Sequence, residues 1–144
     1  MKILLTSFFI AFFIFNSFGQ KVNSYDVVVY GGTSAGIVAA IQTSRMGKSV
    51  VLIESTDRLG GLTTGGLGQT DIGNKHVIGG ISREFYQNIR SYYDIPENWK
   101  WQFKEEYMDS GQTKTIKGED AMWTFEPSAA LKVYQLMLKS EDID

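Results

Sequence analysis

The sequence predicts an α/β fold built on a parallel sheet, and three observations carry that prediction. Two short runs of apolar, largely β-branched residues, Tyr25–Tyr30 and Ser49–Glu54, have the length and composition of strands buried on both faces. Between them Ile37, Ala40, Ile41 and Ser44 recur at helical spacing, with Gly47 placed to stop the helix in a left-handed turn. Gly31, Gly32 and Gly36 stand where the first strand must turn sharply into that helix. Strand, helix, strand in this order requires a crossover connection and hence a parallel pair.

The chain begins with Met1-Lys2, is apolar from Ile3 to Phe15, and passes through Asn16-Ser17-Phe18-Gly19 to the polar Gln20-Lys21. This is the layout of a signal peptide over 1–19, cut between Gly19 and Gln20, where Ser17 and Gly19 supply small side chains. The apolar run is shorter than the ~20 residues that span a bilayer, so no stable membrane insertion is expected after cleavage. The expected location is exported, periplasmic or extracellular, leaving residues 20–144 to fold. Composition narrows the chemistry further. With no cysteine there are no disulfides, zinc-thiolate sites, iron-sulfur clusters or redox dithiols, and no metal-ligand set is read. A balance of 14 Lys+Arg against 16 Asp+Glu gives a net charge of −2 and no electrostatic footprint for nucleic acid.

The first unit is a Rossmann-like βαβ unit of the kind that binds dinucleotides. Gly31 allows the tight turn, Gly36 lets the helix approach the strand, and free N–H groups at the helix start face a pyrophosphate. Glu54, at the end of the second strand, lies where an acid accepts hydrogen bonds from an adenosine ribose, and its charge opposes a 2′-phosphate. The middle glycine of the usual fingerprint is replaced by Thr33. Its β-carbon would crowd a closely held phosphate, unless the phosphate sits further out or the hydroxyl donates to it.

A second glycine-rich stretch, Gly60-Gly61-Leu62-Thr63-Thr64-Gly65-Gly66-Leu67-Gly68, follows Glu54 after a five-residue spacer. With Val27 to Gly36 and Ile53-Glu54, it resembles the FAD-dependent oxidoreductases of the glutathione-reductase-like flavoprotein superfamily. The pair Gly-Gly-Thr-Ser-Ala-Gly and Gly-Gly-Leu-Thr-Thr-Gly-Gly-Leu looks like an exported bacterial branch of them, whose members often carry Thr at that place. The resemblance runs more loosely through Ile78–Tyr86 and Trp123–Pro127, and so covers about residues 22 to 144. It implies FAD as cofactor, with Gly31, Gly32, Thr33, Ser34, Ala35 and Gly36 on the pyrophosphate, Glu54 on the ribose, and Gly60 and Gly61 along the dinucleotide toward the flavin. Related sequences often have His after the Glu-Pro pair; here it is Ser128, and no catalytic residue is assigned.

The second half predicts a helix over Gly79–Tyr93 with Ile81, Phe85, Ile89 and Tyr92 on one core-facing side, then a break at Asp94–Asn98. Trp99–Phe103 alternates aromatic and polar residues, as a half-buried strand or edge ribbon does. His76 reads as a solvated loop residue, and Glu105, Glu106 and Asp109 as solvent-facing acids. Pro127 opens a last helix to about Lys139, with Ala130, Val133, Tyr134 and Met137 on one face.

Two buried parallel strands are fewer than an independent sheet needs, so residues 20–144 are expected to be the amino-terminal, incomplete part of an FAD-binding domain. The leading function is the FAD-binding portion of an exported FAD-dependent oxidoreductase, an enzyme acting on a small-molecule or carbohydrate substrate. One alternative is an NAD-dependent dehydrogenase, which needs the same βαβ unit but gives no reason for Gly60-Gly61. Another is a carbohydrate-associated protein, polysaccharide lyase-like or sugar-binding, that stacks sugars on Trp99, Trp101 and Trp123 and keeps only a vestigial dinucleotide site. A last one is a remnant that cannot fold alone.

Overall fold

The computed structural model describes residues 22–67, 72–141 and 143. The expected signal peptide at 1–19 lies outside the described residues, as does Gly68. Strand β1 (Val27–Tyr30) pairs in parallel with β2 (Val50–Ile53), Val27 opposite Val50 and Tyr30 opposite Ile53. Between them runs helix α1 (Ser34–Arg45), which buries Ile37, Ala40 and Ile41 and ends before Gly47, whose φ of +73° is the left-handed turn expected there. The α/β class and the parallel order are as the sequence predicts.

The burial of the strands is not. Val29, Val50 and Leu52 point toward the helices: Val50 is buried, Leu52 packs on the core, and Val29 lies against Gly36 of α1. The opposite face carries Val28, Tyr30 and Ile53, and Tyr30 is 79% exposed. Alternation puts every second side chain on each face, and the described residues cover only one. The strands are therefore half-buried.

The core lies on the covered face, between α1, α3 (Gly80–Tyr93) and α4 (Pro127–Lys139). Helix α3 contributes Ile81, Phe85, Ile89 and Tyr93, each four residues on from the last, and α4 contributes Ala129, Ala130, Val133, Tyr134 and Met137. Each large apolar side chain fully buried here stabilises the fold by roughly 1.5–3 kcal/mol. Tyr93 replaces the expected Tyr92 at the end of the stripe. Its hydroxyl accepts the Glu126 N–H at 3.1 Å, fixing the chain just before α4, while Tyr92 is only half-buried.

Trp99–Phe103 forms no strand or ribbon. A 3-10 turn at Pro96–Asn98 folds the chain back, so that Trp99 Nε1 donates to the Tyr93 carbonyl oxygen at 2.7 Å and the indole packs between Tyr93 and Tyr107. Trp101 and Phe103 are left exposed. Trp123 is fully buried, against the Tyr86 ring and beneath the Arg83 guanidinium. The three tryptophans thus form no common platform, because one is core and one is a local plug.

A buried charge cluster stands beside Trp123. Lys75 Nζ lies 2.6 Å from Glu119 Oε2 and donates to the Lys114 carbonyl oxygen, while Arg83 reaches both Glu119 and Asp120. His76, next to Lys75, is exposed in a 3-10 turn, as are Glu105 and Glu106 further on, whereas Asp109 is half-buried and accepts from Thr115. No helix among the described residues is long and apolar enough to cross a membrane.

Candidate functional site

The turn from β1 into α1 is built from backbone. Gly31 still donates to the Ile53 carbonyl oxygen at 2.8 Å, like a strand residue, but its φ of +106° belongs to glycine. Five residues on, a Cβ at Gly36 would overlap the Gly31 carbonyl oxygen, so only glycine lets the helix start this close to the strand. Gly32 is hemmed in as well: an added Cβ would meet Leu59 and Glu54.

Thr33 closes the turn as the helix N-cap. Its Oγ1 accepts the Gly36 N–H at 3.2 Å, which satisfies one of the donors that a helix start leaves without an internal partner. The Ala35 N–H has no partner among the described residues, and Thr33 and Ala35 are both exposed. The threonine that breaks the glycine fingerprint therefore has a structural task, and its hydroxyl hydrogen remains free to be donated outward.

Glu54 reaches back over this turn. Its Oε2 accepts the Gly32 N–H at 2.7 Å, and Oε1 accepts the Thr56 N–H at 2.9 Å and the Thr56 hydroxyl at 3.0 Å. The Gly32 N–H, and after it the Thr56 N–H, hold this carboxyl below the usual carboxylate range. Oε2 keeps a lone pair for a further donor.

The second glycine segment docks on the first. Gly60 donates to the Gly32 carbonyl oxygen at 2.6 Å, and Thr33 and Gly60 form a parallel bridge beyond the strands. Ser34 Oγ donates to the Gly60 carbonyl oxygen at 3.0 Å and lies 2.9 Å from Thr63 Oγ1. Gly60 and Gly61 both have positive φ, and the short helix α2 (Leu62–Gly65) follows, with Thr64 bonded back to the carbonyls of Leu59 and Gly61. Residues far apart in sequence, Gly31 to Gly36, Glu54, Gly60 and Gly61, thus meet at one corner of the fold.

The model of the FAD dependent oxidoreductase family matches residues 26–144. The chain belongs to that family. FAD is accordingly the cofactor of this flavoprotein. Over 36 residues, 25% of the chain, it is 61% identical to FAD-dependent oxidoreductase dbaF of Emericella nidulans, a match that covers 8% of that protein. No solved structure matches.

The corner of this flavoprotein fits an extended diphosphate. An added Cβ at Gly31 would meet nothing within 4 Å, and Gly61 is exposed beside Thr33, so the outer side of the turn is open to a ligand that lies along backbone. Three supporting residues escape a sequence reading: Thr63 and Thr64, hidden in a glycine-rich run, and Tyr134, which the helical period marks only as core. Ser128 is exposed at the start of α4 and makes no contact that assigns it a role.

Proposed function

We propose that residues 31–36, Glu54, Gly60 and Gly61 hold the adenosine diphosphate half of FAD in an exported oxidoreductase that acts on a small organic substrate. The observation that carries this reading is the docking of Gly60 onto Gly32, which sets two glycine segments side by side at the start of α1. In this reading the N–H groups of Ser34 and Ala35 face the diphosphate with the positive end of the helix behind them. Thr33 Oγ1 keeps its capping bond to Gly36 and turns its hydrogen toward a phosphate oxygen. Glu54 accepts a ribose hydroxyl at the free lone pair of Oε2 while its other bonds hold the turn rigid. Gly60 is bare because Thr64 and Tyr134 fill the space of its side chain, whereas the exposed Gly61 leaves room for the dinucleotide to continue away from the helix. FAD, when bound, supplies the two-electron chemistry, and the protein supplies binding, orientation and electrostatics.

Export is supported by the apolar segment before Asn16 and the small residues Ser17 and Gly19. The test is a single native mass spectrum of the protein purified from its own source. An added mass of FAD and a chain beginning at Gln20 are expected. A chain that carries NAD, or no dinucleotide, overturns the flavin assignment, and an uncut amino terminus overturns export.

A further inference from the structure

The Ser34 hydroxyl has one hydrogen, and the Gly60 carbonyl oxygen, which can only accept, takes it at 3.0 Å. That settles the sense of the neighbouring contact: of the two hydroxyls 2.9 Å apart, Thr63 donates and Ser34 accepts. The result is a directed chain that runs from Thr63 on α2 to Ser34 at the start of α1, and from Ser34 back to Gly60. Gly60 is thereby tied to the first segment through both its carbonyl oxygen and its N–H, since the N–H donates to Gly32. Gly61 follows so closely that a Cβ on it would stand 3.6 Å from Thr33. Thr64, by contrast, directs its hydroxyl to the carbonyls of Leu59 and Gly61 within its own segment. Ser34 and Thr63 are both half-buried, so a lost partner is only partly replaced by water.

We propose that Thr63 is a positioning residue for the dinucleotide: by donating to Ser34 it keeps the serine hydrogen on Gly60 and away from the diphosphate, and so clamps the second glycine segment onto the start of α1. This rests on the flavin reading above and deepens it, by dividing the work of the hydroxyls. Ser34 serves the cofactor through its backbone N–H while its side chain serves Gly60, and the hydroxyl that meets a phosphate oxygen is that of Thr33. Removing the Thr63 hydroxyl leaves the Ser34 oxygen without its donor and free to rotate, which loosens Gly60 and Gly61 from the helix. Valine at 63 does this while keeping the branched shape of threonine, so no cavity opens.

The full-length protein, stripped of cofactor, is titrated with FAD and with ADP as wild type, Thr63→Val, Thr63→Ser, Ser34→Ala and the double variant of Thr63→Val with Ser34→Ala, and the thermal midpoint of each cofactor-free protein is recorded. Thr63→Val is expected to weaken FAD and ADP alike by about tenfold, since both carry the diphosphate, with the cofactor-free midpoint moved by less than about 2 °C. Thr63→Ser keeps the donor and is expected to bind within about twofold of wild type. The double variant is expected to bind no more weakly than Ser34→Ala, because both changes break one chain of bonds. Wild-type affinity in Thr63→Val, no recovery in Thr63→Ser, additive losses in the double variant, or a loss of affinity that only follows a lowered midpoint each overturn the proposal while the flavin reading stands. A wild-type protein that binds neither FAD nor ADP overturns both.

Discussion

The carboxylate of Glu54 and the backbone N–H of Gly32 are joined by a hydrogen bond of 2.7 Å, so the acid that ends β2 braces the turn that ends β1. Only Gly32, which is without a Cβ, lets the carboxylate come this near. One side chain therefore shapes the cradle and offers it an acceptor.

Replacing Glu54 separates those two tasks. Glu54→Ala leaves the N–H groups of Gly32 and Thr56 without their acceptor and removes the ribose partner, and FAD affinity is expected to fall about tenfold or more. Glu54→Gln keeps an acceptor for one of them and is expected to fall between Glu54→Ala and wild type. Calorimetric titration checks the order; equal affinities for all three proteins would remove Glu54 from the site.

Acid is expected to destabilise the protein in a defined window. Backbone and hydroxyl bonds from Ser49 hold Asp26 below its ordinary 3.8, and the Gly32 N–H, the Arg45 guanidinium and the Arg83 guanidinium lower Glu54, Glu84 and Asp120. A carboxyl with a depressed folded pKa gives its full stabilisation above its unfolded value and loses it as pH falls through the folded one. Thermal midpoints should be flat above about pH 5 and decline below it. A midpoint unchanged at about pH 3 would contradict this set of bonds.

The glycines of the corner should tolerate a methyl group unequally. Gly36→Ala pushes a Cβ into the Gly31 carbonyl oxygen, which is backbone and cannot yield without separating α1 from β1, and a loss of about 3 kcal/mol is expected in denaturant unfolding. At Gly61, where the nearest atom is 3.6 Å away and only the backbone conformation (φ +55°, ψ −128°) is at issue, alanine should cost about 2 kcal/mol. The reverse order would mean that the helix does not start where it is drawn.

Thr33 is tested through its two roles. Thr33→Val keeps the shape but loses the cap to Gly36, at about 1 kcal/mol of stability, whereas Thr33→Ser keeps the hydroxyl. If Val and wild type unfold together, the cap is unimportant; if they also bind FAD equally, so is the outward hydrogen.

The buried pair Lys75 and Glu119 should be costly to break from one side. Lys75→Met strands a carboxylate that is 7% exposed, with Arg83 at 3.4 Å as its remaining cation, and about 3 kcal/mol is expected to be lost. Adding Glu119→Leu should recover most of that loss, and a double variant as unstable as the single would refute the pairing.

The βαβ order, the limits of α3 and α4 and the glycine roles at 31 and 36 were legible in the sequence because each rests on local chemistry: a period, a stop signal, a residue without a β-carbon. Tyr93 in place of Tyr92 shows how far periodicity reaches, since both lie near the same stripe and a contact with Glu126 decides between them. The strand expected at Trp99–Phe103 is absent because aromatic alternation says nothing of what a ring will fold onto. Thr63, Tyr134 against Gly60, and the Lys75–Glu119 pair matter only through residues distant in sequence, and spacing cannot show such contacts. The signal segment was read from composition alone.

The uncovered side of the sheet has a colloidal consequence. Val28, Tyr30 and Ile53 make an apolar strip on a pair of strands whose outer edges carry unpaired backbone groups among the described residues, which is a template for another strand. Concentration, more than temperature, should therefore limit handling of residues 22–144 on their own: light scattering should rise with dilution-reversible association, and a lysine in place of Tyr30 should suppress it without shifting the unfolding curve.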